Sequence, residues 1–243
     1  MSKTSDTSMN LCPIKDRNHE VSRAEGATLE QDRILQEKVS FSRLKMLKTP
    51  AGTLFLRDFC SPQLVESLRA DSGLNAFTRL PEREHQLLLS IAKRSDSVLT
   101  LAYTPAGEIV GEVTLAPVDS WWAELEHAYE IAIQVSPRWR RLGVAGHLLT
   151  FALEQDAVEE MIILAMGLSW HWDLKGVAIS RYRYRQLLTK LFTDRGFAEY
   201  LTTEPNITMD PANVFLARIG KRVKPETMNR FFSRLLNTED LME

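Results

Sequence analysis

The stretch RRLGVAGHLL, residues 140–149, joins a strand pattern to a helix pattern through two closely spaced glycines. Upstream, YEIAIQVSP alternates apolar residues and ends at Pro137, which has no N–H to donate to a sheet. Downstream, apolar residues recur at helical spacing to about residue 157. The glycines therefore mark a helix N-terminus, where free N–H groups and the helix dipole attract anions and bare backbone lets a ligand approach. The pattern predicts a phosphate ligand.

Positive charge accumulates around the same point, from Arg138, Arg140 and Arg141. The nucleotide fingerprints G-x-G-x-x-G and G-x-x-x-x-G-K-[ST] are absent from the sequence. Residues 140–145, RRLGVA, instead resemble the R/Q-x-x-G-x-G/A motif of the GNAT acetyltransferase superfamily. The alternative is an ordinary helix start that carries a solvated arginine cluster.

The composition favours one globular domain with a tail, since 44% of the 243 residues are hydrophobic and 26% are charged. A net charge of −2 gives no overall field that would attract nucleic acid or anionic lipid. The two cysteines, Cys12 and Cys60, have neither metal-ligand spacing nor a disulfide pattern. Apolar runs fall short of the roughly 20 residues of a membrane span. We expect a cytoplasmic protein that binds neither nucleic acid nor membrane.

The domain organisation follows from the distribution of polar residues. Residues 1–40 are rich in charged and hydroxyl side chains and form a polar N-terminal extension, flexible or partly helical. The predicted catalytic domain spans residues 41–223, with a helix capped by Ser61 and a hairpin around PAG. Residues 224–243 are predicted to form an amphipathic helix that packs on the domain's own sheet, and partner or membrane binding is the alternative.

Three further stretches are similar to the acetoin-utilisation acetyltransferase (AcuA) family within the GNAT superfamily. They are WHWDLKG at residues 170–176, YR at 184–185 and DPANVFLARIGKRV at 210–223. The resemblance implies an α/β fold with a mixed, splayed β-sheet flanked by helices on both faces. It also implies acetyl-CoA as co-substrate, and acetyl-CoA synthetase as a protein partner that is inactivated when one of its lysines is acetylated. The family pattern offers no role for the N-terminal extension.

The resemblance also implies where the cofactor binds. In this superfamily the pantetheine arm pairs with an exposed strand edge, and the pyrophosphate lies on the next helix. The residues assigned to acetyl-CoA on this basis are Ile133, Gln134, Val135, Arg140, Arg141, Leu142, Gly143, Val144, Ala145 and Gly146.

Acetyl transfer to lysine benefits from a base, because the attacking amine has a reference pKa of about 10.4. Glu130 is the first candidate, with Glu126 and His127 as neighbours, and a solvated strand-end carboxylate is the alternative. Tyr184, in the family's YR pair, is a candidate acid for the departing thiolate. A tyrosine packed on the sheet is its alternative reading. The oxyanion is expected to find a backbone N–H near Ile133.

His171 and Asp173 are candidates for substrate binding or catalysis near the acyl site. Two residues apart on an extended segment they would share a face, yet spacing suggests no third ligand, and no metal is predicted. The alternative is a buried aromatic cluster in which Asp173 holds the histidine. The nearby RYRYR, residues 181–185, resembles a nucleic-acid platform, but its helical context favours cofactor phosphate or an acidic partner surface.

Two other functions stay open at this point. A small-molecule amine acetyltransferase would need an enclosed acceptor pocket, whereas a protein substrate fits an open, flat acceptor side. A non-catalytic regulator that senses acyl-CoA would bind a partner without transfer.

Overall fold

The computed structural model describes residues 42–78 and 80–236. The extension predicted for residues 1–40 and the last part, 237–243, of the predicted C-terminal helix lie outside the described residues. The strands are β1 (Leu44–Thr49), β2 (Gly52–Arg57), β3 (Arg69–Ala70), β4 (Val98–Tyr103), β5 (Glu108–Pro117), β6 (Ala128–Val135), β7 (Ile162–Gly167), β8 (Ala198–Glu199) and β9 (Val214–Ile219). The α-helices are α1 (Pro62–Ser67), α2 (Pro81–Ala92), α3 (Val144–Leu153), α4 (Leu174–Val177), α5 (Arg181–Thr193), α6 (Pro205–Thr208) and α7 (Pro225–Leu235).

One mixed sheet runs through the described residues in the order β1-β2-β4-β5-β6-β7-β9-β8, with β3 added beside β5. Pairing is antiparallel except between β3 and β5 and between β6 and β7. Helices α3 and α5 contribute to one hydrophobic core against the sheet, whereas α1 and α2 contribute to another and α7 to a third. The predicted α/β class, with a mixed sheet between helices, is confirmed.

The sheet splays open at its centre, between the two parallel strands. β6 and β7 pair only from Ala128 opposite Ile162 to Glu130 opposite Leu164. Beyond Glu130, β6 pairs only with β5, and this pairing continues to Val135. One edge of residues 131–135 is therefore left facing a gap, and α3 begins at the end of that gap.

Helix α7 packs on the sheet through a cluster of aromatic rings. Phe231 is fully buried, and its ring lies 6.0 Å from that of Trp122 and 5.5 Å from that of Tyr200. Burial of such a side chain contributes about 2–3 kcal/mol, which is enough to hold a short terminal helix in place.

Several boundaries differ from those the sequence patterns predict. Helix α3 ends at Leu153 instead of near residue 157, and residues Asp156–Glu160 form a separate 3₁₀ turn. Tertiary contacts explain this break. Arg218 of β9 forms an ion pair with Glu159, and an arginine of the loop that follows β9 forms one with Asp156. The sequence GFAEYLT, residues 196–202, favours a strand, but only Ala198–Glu199 form one. Strand β1 was not predicted. No helix in the described ranges is long and apolar enough to cross a bilayer.

Candidate active site

The gap between β6 and β7 is lined by backbone groups of β6. Along a strand these groups point alternately to the two neighbours. Ser136 N–H donates to Val110 O of β5 at 2.8 Å, so the even-numbered residues pair with β5. The odd-numbered Ile133 and Val135 consequently direct N–H and C=O into the gap, where Val135 O already accepts one hydrogen bond, from Arg140 Nε at 3.1 Å. Their edge can pair with an extended chain of amides, as predicted for the pantetheine arm.

The start of α3 lies at the end of this edge. Gly143 is the N-cap with φ of 76°, a left-handed conformation that favours glycine. A Cβ added there would meet only the ring of His147, at 3.6 Å, so the space beside Gly143 is open. The free N–H groups of the first turn, from Val144 onward, are available to an anion. The residues present therefore fit the pyrophosphate of acetyl-CoA.

The three arginines before the helix have separate roles. Arg140 donates through Nε to Val135 O at 3.1 Å and pairs with Asp173 at 2.6 Å. Arg138 turns away and pairs with the buried Asp71, which corrects the expectation that it adds charge at the helix start. Arg141 is exposed. The motif thus supplies one bracing arginine and one free for solvent or ligand.

Gly146 is a glycine because of packing. The guanidinium of Arg195 donates to Gly146 O at 3.0 Å and to Leu191 O at 2.6 Å. A Cβ on Gly146 would lie 2.5 Å from Arg195 Nη2. This glycine therefore lets the end of α5 approach α3, a role distinct from the ligand contact predicted for it. Leu142 and Ala145 are half-buried against the core, and Val144 is buried in it.

Glu130 lies at the base of the gap, where the pairing of β6 with β7 ends. Burial, together with the carboxylates of Asp119 and Glu204, raises its pKa to about 7. A carboxyl with this pKa is half ionised near neutral pH, which suits exchange of a proton. By contrast Glu126 is exposed on the loop before β6.

Tyr184 lies on α5 and stacks on Trp172, with ring centroids 5.0 Å apart and planes 12° apart. Burial raises the pKa of its phenol, and the nearby Arg140 opposes that effect. The phenol therefore stays protonated in the neutral range. The ring therefore packs on Trp172, and the role of Tyr184 as an acid stays a prediction.

A loop of residues 71–78 contacts side chains of Gln134 and Ser136, and buried side chains anchor its backbone. We call it the acceptor loop, after the role proposed for it below. Asp71 accepts from Gly73 N–H and from Ser136 Oγ, each at 2.7 Å. Although burial acts to raise the pKa of Asp71, hydrogen bonds from Arg138 and Ser136 hold it below its usual value.

Gln134 anchors the middle of the acceptor loop. Its Oε1 accepts from Asn75 N–H at 2.8 Å and Ala76 N–H at 2.7 Å, and its Nε2 donates to Glu84 at 2.5 Å. Its backbone belongs to the even-numbered set that pairs with β5, opposite Glu112. The structure thus turns Gln134 away from the cofactor edge, to which the family resemblance assigned it together with Ile133 and Val135.

Two buried carboxyl groups complete this network. Glu84 of α2 accepts from Thr78 N–H at 2.9 Å and Thr78 Oγ at 2.6 Å. Glu112 of β5 accepts from Gln134 Nε2 at 3.3 Å, and its second oxygen has no partner among the described residues. Burial and the adjacent Glu84 raise the pKa of Glu112 to about 8, so Glu112 is protonated at neutral pH.

His171 meets the acceptor loop from the opposite side. Its Nδ1 lies 3.1 Å from Ala76 O, and its ring centroid is 5.6 Å from that of Phe77. Residues Ser169–His171 form a 3₁₀ turn, so the extended segment considered for a metal pair is absent at this point. Asp173 pairs with Arg140, whose hydrogen bond lowers the pKa of Asp173. The expected histidine–aspartate pair is therefore replaced by two separate contacts.

The DPAN stretch explains why the segment after β7 is held in place. Asp210 accepts from Ser169 Oγ at 2.7 Å and pairs with Arg181 at 2.9 Å. Asn213 Oδ1 accepts from Ser169 N–H at 2.7 Å. These contacts tie the WHWD segment and the start of α5 to the beginning of β9.

Glu84, Glu112 and the acceptor loop were not identified from the sequence. Glu112 left a signal, because it is a single carboxylate within the apolar strand EIVGEVTLAP. Nothing in the sequence near Glu84 indicates its role, since its partner Gln134 lies 50 residues away.

Comparison with known proteins agrees with this geometry. The model of the acetyltransferase (GNAT) family matches residues 62–166. The acetoin utilization protein AcuA of Bacillus subtilis (strain 168) is 33% identical over 190 residues, which cover 76% of this chain and 90% of that protein. The chain belongs to the AcuA family of GNAT acetyltransferases. AcuA of Bacillus licheniformis is 32% identical over 192 residues, covering 77% of this chain and 90% of that protein.

A solved AcuA-type structure shows the same fold. The crystal structure of the acetoin utilization protein from Exiguobacterium sibiricum 255-15 matches with a TM-score of 0.78 and 30% identity. The match covers 84% of this chain and 98% of that one. The predicted GNAT-type fold is thereby confirmed, and membership of the AcuA family makes the chain an acetyl-CoA-dependent N-acetyltransferase.

Proposed function

We propose that this enzyme acetylates a lysine of acetyl-CoA synthetase and thereby lowers the activity of that synthetase. The sequence resemblance to the AcuA family implied this substrate. The observation that carries the proposal is an exposed apolar rim around the WHWD segment, a surface suited to a folded partner. A cytoplasmic location is part of the proposal.

The rim consists of Trp170, Tyr182 and Met209, which are 43%, 60% and 73% exposed. Each is the chain neighbour of a residue in the network of Ser169, Arg181 and Asp210, so the network holds all three in one region. Several large exposed apolar side chains grouped in one region are typical of a protein interaction site, whereas single ones are ordinary on any surface. A surface groove in the same region is lined by Ser180, Arg181, Tyr182, Met209, Asp210, Pro211 and Ala212.

The chemistry assigned to the site uses three groups of the chain. Glu130, with its pKa of about 7, takes the proton that a lysine ammonium must lose before it attacks. Ile133 N–H points into the gap and can donate to an oxygen on which negative charge develops. Tyr184, whose phenol burial keeps protonated, can donate a proton to a leaving thiolate. When bound, acetyl-CoA supplies an acetyl thioester open to attack by an amine.

The test compares acceptors. Purified acetyl-CoA synthetase is incubated with this enzyme and acetyl-CoA, acetylated lysines are located by mass spectrometry, and synthetase activity is followed in parallel. We expect kcat/KM for the intact synthetase to exceed that for its lysine-bearing peptide and for small amines, because remote contacts orient the amine. Acetylation that leaves synthetase activity unchanged, or faster turnover of a small amine, contradicts the proposal.

A pair of variants tests the rim directly. Met209→Glu is expected to lower kcat/KM for the intact synthetase about tenfold, because burying a charge at a protein interface is costly, and to leave the peptide unaffected. Met46→Glu is the matched control, since Met46 is 59% exposed on β1, at the far edge of the sheet. Equal losses in the two variants would remove the rim from the recognition surface.

A further inference from the structure

The acceptor loop makes a chain of contacts that connects β6 to His171. Gln134, buried on β6, accepts hydrogen bonds from the N–H groups of Asn75 and Ala76. The carbonyl of Ala76 then meets His171 Nδ1 at 3.1 Å. A side chain of β6 thus sets the position of the histidine through one residue of the acceptor loop, Ala76.

The contact with Ala76 determines which nitrogen of His171 carries a proton. A backbone carbonyl can only accept a hydrogen bond, so Nδ1 is the donor. In the neutral ring Nε2 is then unprotonated and acts as an acceptor. The ring is half-buried and flanked by Phe77 at 5.6 Å and Trp170 at 6.0 Å, which limit its rotation.

The acceptor loop is rigid enough to transmit this constraint. Backbone N–H groups of Gly73, Asn75, Ala76, Phe77 and Thr78 all donate to side chains of Asp71, Gln134 or Glu84. Those three acceptors are buried, with at most 6% of their surfaces exposed. Gln134 is held in turn by its donation to Glu84 and Glu112, the two titratable groups that contact it.

We propose that Gln134 is a positioning residue for acetyl transfer, and that it fixes the acceptor loop so that His171 Nε2 accepts a hydrogen bond from the incoming primary amine. Gln134 and His171 then serve the acceptor substrate, and acetyl-CoA is held by the other edge of β6. The inference requires an amine acceptor but does not depend on the particular protein substrate proposed above.

Gln134→Met tests the inference, because methionine preserves the length of the side chain and removes its hydrogen bonds. We expect KM for the acceptor to rise about tenfold or more, with Kd for acetyl-CoA changing less than about twofold by calorimetry. Gln155→Met is the matched control, at a glutamine in the turn after α3 whose buried Nε2 has no partner among the described residues.

Gln134→Glu supplies a conservative rescue with a distinct pH profile. Its oxygens can still accept from Asn75 and Ala76, but only its protonated form can donate to Glu84. We therefore expect the ratio of its acceptor KM to that of the parent to be near one at low pH and to increase as pH rises. Gln134→Met should be impaired at every pH. A pH-independent ratio for Gln134→Glu contradicts the inference.

Nitrogen NMR of the His171 ring gives a measurement that needs no substrate. The signals are assigned by comparison with His171→Gln, and the parent should show the neutral ring protonated at Nδ1. In Gln134→Met that preference should be lost, whereas Gln155→Met should keep it. An unchanged His171 spectrum, or equal changes in acceptor KM and acetyl-CoA affinity, overturns the inference. Absence of synthetase acetylation by the parent enzyme would instead overturn only the proposed function.

Discussion

The two sides of β6 offer different kinds of group, backbone amides on one side and buried polar side chains on the other. On the side proposed for the cofactor, backbone groups of Ile133 and Val135 and a left-handed Gly143 offer contacts that need no particular side chain. On the side proposed for the acceptor, the buried polar side chains of Gln134 and Glu84 contact a loop distant in sequence. A site made of backbone groups is recognisable in the sequence as a short local motif. A network of side chains appears there only as single residues far apart. The difference shows why one half of the site can be identified in the sequence and the other requires the structure.

Gly143→Asp should break the cofactor side with the largest effect. A carboxylate at the helix start repels the pyrophosphate, so Kd for acetyl-CoA should rise at least about 100-fold in calorimetry. Gly107→Asp is the matched control, because Gly107 has a similar φ of 79° in the hairpin between β4 and β5. If both variants fold and bind acetyl-CoA alike, the helix start does not hold the cofactor.

Glu130→Gln should come next, with a loss in kcat of about 100-fold at neutral pH and little change in acetyl-CoA affinity. The parent rate should rise with pH through about 7, as the Glu130 carboxyl loses its proton. The variant should lack that step and recover partly at higher pH, where more of the amine is neutral. Glu126→Gln, at an exposed neighbouring carboxylate, is the control. A parent-like pH profile in Glu130→Gln would assign the base elsewhere.

Asp173→Asn should have a smaller effect. It tests whether Asp173 holds Arg140 in place or takes part in catalysis directly. Asparagine can still cap α4, but it loses the ion pair that holds Arg140, so kcat/KM should fall about fivefold. Steady-state kinetics give this value, with Asp194→Asn as a control that removes an exposed ion pair with Lys190. A loss of about 100-fold or more, confined to kcat, would restore the direct catalytic role predicted for Asp173.

Glu112→Gln should leave activity within about twofold, since Glu112 is already neutral at pH 7 and glutamine keeps the contact with Gln134. Its effect is on stability. The folded protein raises this pKa from 4.5 to about 8, so the parent's free energy of unfolding should fall as pH rises between those values. The limiting slope is about 1.4 kcal/mol per pH unit.

Urea unfolding of both proteins across that range measures the effect. The difference in free energy of unfolding between Glu112→Gln and the parent should grow with pH and level off above about 8. A constant difference would mean that Glu112 is ionised in the folded protein.

Most of the fold could be predicted because its elements have local patterns. The alternation in β6, the proline that ends it and the Ser61 cap of α1 are each read from a few neighbouring residues. The end of α3 could not be predicted, since contacts from β9 override the local helical pattern. The length of β8 was overestimated, because only two of its residues pair with β9.

The candidate site divides in the same way. Gly143 and the first turn of α3 follow from a motif of six residues, whereas the partners of Arg138 and Arg140 lie 67 and 33 residues away. Sequence alone cannot tell a bracing arginine from a ligand-binding one, because both are the same residue in the same motif. Gly146 shows the same ambiguity, with Arg195 as the neighbour that explains it.

The brief pairing of β6 with β7 has a consequence for biosynthesis. Residues 140–146 are synthesised before β7, and the second neighbour of β7 in the sheet is β9, which is made later still. A nascent chain that ends before residue 214 therefore carries the whole glycine motif without the two-sided cleft that would enclose the cofactor. Acetyl-CoA should accordingly stabilise only the finished sheet, in proportion to the logarithm of its concentration above Kd.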